Sequence, residues 1–233
     1  ADEINNYNFI EYIPINKLKA YEFDNISKLG NDISDLANMK VLPNLTFEID
    51  STRSEALIKY RVPEGYKPLS ERVFSTTKTD IKCVFDLIED LYKKAYYFYK
   101  QFSMVPLIKA DNLLLSVDGK TLLFRKLGTM FCPVHIISGE SIRNGEGAEA
   151  EIPKMISMLL KDLIFRNESK EIANFLKQGT PKAGINLFLA HFIQRMSSKE
   201  LEVRYSYRRV SYLIQRLNQM SNDSDYDISV FYF

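Results

Sequence analysis

Apolar and polar residues alternate from Thr46 through Phe47, Glu48 and Ile49 to Asp50, and a second short run, Ala56 to Val62, follows it closely. A period of two sends successive side chains to opposite faces, as in a half-buried strand. The polar residues 51–54 between the runs predict a turn, so 46–62 is expected to fold as a β-hairpin, ended by Pro63, Glu64 and Gly65. From Thr79 the period becomes helical. Ile81, Val84, Phe85, Ile88, Leu91, Tyr92 and Ala95 recur at spacings of three and four, which predicts an amphipathic helix running to about Phe102. Thr79 is its expected N-cap, Asp80 suits its first turn, and Pro106 stops it. Leu113 to Leu115 and Leu122 to Phe124 flank Val117, Asp118 and Gly119, which predicts a short hairpin with Asp-Gly at its tip.

The back half is expected to be mostly helical. Helices are predicted over 149–166, near 169–178, from Thr180 and Pro181, and from Ser198 with Lys199, Glu200 and Leu201. Ser138 to Glu149 is rich in Gly, Ser and Glu and predicts a loop. Ahead of the first hairpin, Ile26, Leu29, Ile33 and Leu36 give a weakly helical stretch interrupted by Gly30 and broken by Leu42, Pro43 and Asn44. A β-containing front followed by a helical back is an α+β order. The expected organisation is an N-lobe over 1–75, a helical C-lobe over 76–222 and a tail or linker over 223–233.

Composition adds mainly exclusions. With 45% hydrophobic and 26% charged residues in 233, the chain is an ordinary globular sequence, long enough for a real core. A formal net charge of +1 gives no reason to expect a nucleic-acid partner. Two cysteines, Cys83 and Cys132, make no disulfide framework. There is no charged-then-apolar leader, and no apolar run reaches the roughly 18–20 residues of a membrane span, so a soluble, non-secreted protein is expected.

The richest chemistry lies between the long helix and the short hairpin. Leu107, Lys109 and Asn112, followed by Leu113 to Leu115, fall where a protein kinase has its catalytic loop, H-R-D-x-K-x-x-N and then a strand. Lys109 and Asn112 match the Lys and Asn. Leu107 stands in the place of the catalytic Asp, and with one extra residue in the hairpin Lys126 stands in the place of the metal-binding Asp, before Leu127 and Gly128. Phosphoryl transfer needs a carboxylate to orient the nucleophile and another to hold magnesium. Leucine offers no acceptor, and a lysine repels the metal. The front third holds only Gly30 and Gly65, so it has no glycine-rich phosphate loop. Ala56 to Lys59 looks like the kinase V-A-I-K strand but lies too near the loop, and reads as a later strand leading into a hinge. Two readings stay open: a kinase-like loop emptied of its carboxylates, or an ordinary helix, loop and hairpin in which Asn112 and Asp118 bond the turns.

Phe47 to Asp50, Pro63 to Pro68, Asp111 to Leu115 with Asp118 and Gly119, and Arg125 to Gly128, in this order and spacing, resemble the cytosolic N-terminal domain of the EssB/YukC family. The resemblance covers roughly 45–165, and the chain departs from it in Lys126-Leu127-Gly128 and in a longer, more basic last helix. Those proteins are bitopic membrane components of bacterial type VII secretion, and that domain is pseudokinase-like. The resemblance implies a reduced protein-kinase-like fold, no catalysis, no cofactor and a place on the cytoplasmic side of the cell membrane. It implies other secretion-machine subunits as partners, and a membrane segment outside this chain. An atypical nucleotide-binding enzyme and an unrelated adaptor are the alternatives.

Other candidates carry less. Cys132 and His135 have a Cys-x-x-His spacing, but zinc takes four ligands and the only other histidine is His191, so no metal is expected. Tyr92, Tyr96, Tyr97 and Tyr99 are expected to pack at the core and its rim rather than stack on bases. In the last helix Val203, Val210 and Leu217 recur at sevenfold spacing with Leu213 and Ile214 between them, and Arg204, Arg208 and Arg209 are candidates for its polar face. Either that helix faces the core with a solvated basic face, or its seam and arginines meet a partner, a second copy or anionic lipid.

Overall fold

A computed structural model of the chain describes residues 9–14, 31, 34–43, 45–102, 106–125, 150–166, 168–178 and 184–219. The predicted first hairpin is present as β2 (Leu45–Asp50) and β3 (Glu55–Tyr60), and β3 pairs on its other side with β1 (Phe9–Pro14), all antiparallel. Ile58 lies opposite both Glu11 and Phe47. Ala56, Ile58 and Tyr60 are buried, while Glu55, Leu57 and Lys59 on the other face are half-buried; the alternation read over 46–50 does not bury Ile49, which is 44% exposed on β2. The turn is tied by the Asp50 carboxylate, which accepts from the Thr52 and Arg53 amides at 3.0 and 3.2 Å.

A helical turn over 34–38 ends with Lys40 at φ 57, where the Val41 amide donates to the Leu36 carbonyl and the Lys40 amide to that of Ala37. That closing pattern is the Schellman cap, here without the usual glycine, and it folds Leu36 and Val41 into the core together. After β3, Gly65 at φ +82 turns the chain into β4 (Lys67–Pro68) and a single 3-10 turn, Leu69–Glu71. A second small sheet runs β4, β5 (Leu113–Leu115), β6 (Leu122–Phe124).

The long helix, α1 (Lys78–Phe102), is the axis of the helical half, with Ile81, Val84, Phe85, Ile88, Leu91, Tyr92 and Ala95 buried as predicted. Its cap is Thr77, not Thr79. The Asp80 amide faces the Thr77 hydroxyl at 3.4 Å, and the Asp80 carboxylate reaches back to the Ser75 amide and hydroxyl at 2.8 and 2.7 Å. Around α1 pack α2 (Glu151–Phe165), α4 (Gly184–Met196) and α5 (Tyr207–Gln219), while α3 (Ser169–Gln178) lies against α2. Phe85 of α1 meets Phe188 and Phe192 of α4 edge-on, each with ring centres 4.9 Å apart. One hydrophobic cluster joins the three-stranded sheet, residues 41–42, both small strands and the helices.

The last helix begins later than the sequence reading has it. Residues 201–203 form a 3-10 turn, and Ser206 caps α5, its hydroxyl accepting from the Arg209 amide at 3.2 Å. Val203 and Arg204 are therefore not on α5. Val210, Leu213, Ile214 and Leu217 are buried against the chain's own core, so the sevenfold seam is an internal packing face. The expected helix start at Thr180 and Pro181 and the loop 138–149 lie outside the described residues.

Candidate functional site

The segment singled out by the sequence is built on the end of α1. Pro106, Ile108 and Ala110 are buried, Leu107 is half-buried and packs on the core, and Lys109 projects into solvent. A 3-10 turn, Ala110–Asn112, then leads into β5. Its buried polar residue is spent on the chain itself. Asn112 is 4% exposed, and its side-chain amide donates to the Leu107 carbonyl at 3.4 Å. Its own carbonyl accepts the Arg125 amide at 2.8 Å, and the Arg125 guanidinium donates to the Asp111 carbonyl at 2.7 Å. The loop is thus closed by its own backbone, with Arg125 as the bolt.

The hairpin tip is equally self-contained. Asp118 accepts from the Lys120 amide at 3.0 Å and from the Ser116 hydroxyl, and Gly119 at φ +72 completes the turn with its amide on the Ser116 carbonyl. The Ser116 hydroxyl, followed by the Lys120 amide, holds the Asp118 carboxyl below the usual carboxylate range.

A charge pair of a buried lysine and a half-buried aspartate, absent from the sequence reading, fixes the hairpin to α1. Lys94 and Asp90 are four residues apart on the helix, 2.7 Å between Nζ and Oδ2. Lys94 donates to the Leu122 carbonyl and Asp90 accepts the Leu122 amide at 3.0 Å, so the pair grips both polar groups of one β6 residue. Burial pushes the Lys94 amine down, opposed by the bond to Asp90. The signal was present: Leu87, Leu91, Lys94 and Phe98 share one buried helical face, and a lysine on such a face needs a partner. At the end of β6 the Phe124 amide donates to the Val41 carbonyl at 3.0 Å, which joins the hairpin to the front of the chain.

Among solved structures the chain is similar to that of an apo pseudokinase, at 10% sequence identity, over 87% of this chain and 79% of that one, with a TM-score of 0.55. The fold is protein-kinase-like. No family model and no curated protein matches the chain.

In a kinase-like fold this loop is the place for a carboxylate and for an Asn that reaches a magnesium ion. The residues here do not fit a magnesium nucleotide. Leu107 has no acceptor in the place of the catalytic carboxylate. Lys126, Leu127 and Gly128, like Cys132 and His135, lie outside the described residues; His191 is half-buried on α4. Among the described residues no cluster of three His, Cys, Asp or Glu offers a metal site, and no helix is long and apolar enough to cross a membrane.

The three arginines do not form one patch. Arg208 is exposed. Arg209 is half-buried, its guanidinium 5.1 Å from the centre of the Tyr212 ring. The Arg204 side chain is only 5% exposed, and it donates to the Ser198 and Ala150 carbonyls at 2.7 Å each, with Glu151 at 3.8 Å. Arg204 is therefore a strut between the 198–206 segment and the start of α2. The sequence could not place it, because its partners come from a distant helix. The tyrosines of α1 pack as expected: Tyr92 is buried and donates to the Tyr205 carbonyl at 3.1 Å, while Tyr96, Tyr97 and Tyr99 border the core.

Proposed function

We propose that the chain is a non-catalytic, kinase-fold scaffold domain that works on the cytoplasmic side of a bacterial cell membrane as part of a type VII secretion machine. The observation that carries the non-catalytic part is Leu107, an apolar side chain with no acceptor at the place where the kinase loop needs a carboxylate. The secretion role rests on the EssB/YukC resemblance of 45–165, and its partners would be other subunits of that machine, a second copy of the domain among them.

The test is thermal melting with millimolar ATP and magnesium. A ligand at 100 times its dissociation constant adds about 2.7 kcal/mol of stability, an easily read shift. No shift is expected. A magnesium-dependent rise in melting temperature would instead establish an atypical nucleotide-binding protein. Deleting the gene in its own bacterium should abolish export of the small type VII substrates, and unchanged export would leave an adaptor with no part in secretion.

A further inference from the structure

Asp118-Gly119 is the sole Asp-Gly bond in the sequence, and the fold leaves it in the open. The Asp118 side chain is exposed at the hairpin tip, and no atom lies within 4 Å of the place where a Gly119 side chain would stand. Neither burial nor packing therefore resists the reaction that such a pair can undergo. The Gly119 nitrogen attacks the Asp118 side-chain carboxyl carbon. A C–N bond forms, the amide proton and the carboxyl hydroxyl leave as water, and a five-membered succinimide closes. Water then adds at either carbonyl of the ring. Addition at the main-chain carbonyl breaks its bond to the Gly119 nitrogen and leaves isoaspartate, in which the chain runs through Asp118 Cβ and Cγ with one backbone atom more.

Ring closure needs a protonated carboxyl, a free amide nitrogen and a carboxyl swung onto that nitrogen. The turn opposes each need. The Ser116 hydroxyl and the Lys120 amide both donate to Asp118 Oδ1, which pins the group and keeps it ionised. The Gly119 amide is committed to the Ser116 carbonyl at 3.0 Å. Ser116 supplies both its hydroxyl and its carbonyl to this lock, and the hydroxyl also accepts the Thr121 amide at 3.0 Å. An inserted backbone atom would part the Ser116 amide from the Thr121 carbonyl, 2.9 Å apart in the closed turn, beside the Leu122 that α1 grips. We propose that Asp118 is a latent self-modification site and that Ser116 is the positioning residue that keeps it closed. While the tip is folded the ordinary bond persists. When the tip opens, isoaspartate forms and the hairpin cannot close again in register.

The full chain is to be held at neutral pH for several weeks, native and in guanidinium chloride, and then digested with trypsin. Cleavage after Lys109 and Lys120 releases residues 110–120, and chromatography with electron-transfer fragmentation separates isoaspartate at Asp118 from any change at Asp111. Isoaspartate is expected to form at least tenfold more slowly in the native chain than in guanidinium chloride. Ser116→Ala, checked for folding by circular dichroism, should form it at least fivefold faster than the native wild type. Ser116→Thr, which keeps the hydroxyl, should stay as slow as the wild type. Loss of the Ser116 hydroxyl should also move the acid-side rise in rate to higher pH, because the Asp118 carboxyl then protonates more readily. Equal rates in the native and the unfolded wild type would overturn the proposal without any variant. So would a folded Ser116→Ala chain that reacts no faster than the wild type, a Ser116→Thr chain that reacts as fast as the alanine variant, or a faster alanine variant whose pH profile is unmoved.

Discussion

The chain contains two described hairpins, and they are held by opposite means. The β2–β3 hairpin has six-residue strands, a third strand beside it and a turn fastened by its own Asp50; its cross-strand pair, Lys59 and Glu48 at 3.8 Å, has its carboxylate in solvent. The β5–β6 hairpin has three-residue strands buried on every residue, too short to stand on pairing alone. It is gripped from outside, by Asp90 and Lys94 on Leu122, by Arg125 on Asp111 and by Val41 on Phe124. A long strand ladder carries itself, whereas a short one borrows its polar partners from the elements around it. The hairpin that resembles a catalytic centre is the borrowed one, and Asn112, Ser116, Asp118 and Arg125 there are put to structural use.

The sharpest way to break this contrast is to remove Lys94. Lys94→Ala leaves the Asp90 carboxylate without its cation and the Leu122 carbonyl without its donor. The expected loss is about 3 kcal/mol, read by urea unfolding. A cost no larger than that of a surface pair would show that α1 does not hold the hairpin. Next comes Asn112→Ala, which frees the Leu107 carbonyl in a buried turn and should cost about 1–3 kcal/mol. An unchanged melting point with lost function would mark Asn112 as a contact for something outside the chain.

Acid provides a gentler probe. Asp80 and Asp118 both have carboxyls held below their ordinary value, Asp80 first by the Ser75 amide and hydroxyl, Asp118 first by the Ser116 hydroxyl. A depressed folded-state value means that the unfolded chain takes up protons first. The stabilisation is complete above the unfolded carboxylate range, about pH 4, and is lost as pH falls through the folded values. Asp80→Asn and Asp118→Asn should therefore each flatten the fall in melting temperature below that pH, and an unaltered acid slope would contradict the assigned bonds. The smallest effect belongs to the other hairpin: Glu48→Ala should cost no more than about 0.5 kcal/mol, because its ion pair is exposed.

The same contrast explains what the sequence made legible. Strands β2 and β3, the buried face of α1, the bounds of α3 and the Asp-Gly turn were all visible, because each is written in local spacing. Thr77 rather than Thr79 caps α1 because Asp80 folds back to Ser75, a choice between two similar residues that spacing cannot make. The sevenfold pattern of Val203, Val210 and Leu217 ran straight across a real break, since periodicity says nothing about where Ser206 starts a new helix. Strand β1 has almost no alternation and is defined by its partner β3. Arg204 was illegible for a related reason, and for Lys94 the apolar face shows the need for a partner but not which one. A charged residue reads as solvated until the distant carbonyls that receive it are in place. At the candidate loop the missing acceptor at Leu107 was plain from the sequence, but the inward turn of the Asn112 amide was not.

The bond between Val41 and Phe124 has a consequence for the order in which this protein can be made. A ribosome releases the front sheet and the 34–43 segment long before β6. Until then Leu36, Val41 and Leu42, all buried in the finished fold, have neither β6 nor the helical core to cover them. The closing contact is long in sequence, so it is slow to find and comes late. Nascent chains stalled before β6 should accordingly be protease-sensitive throughout their front third and bound by chaperones that recognise apolar segments. Chains released past α5 should become resistant in a single step.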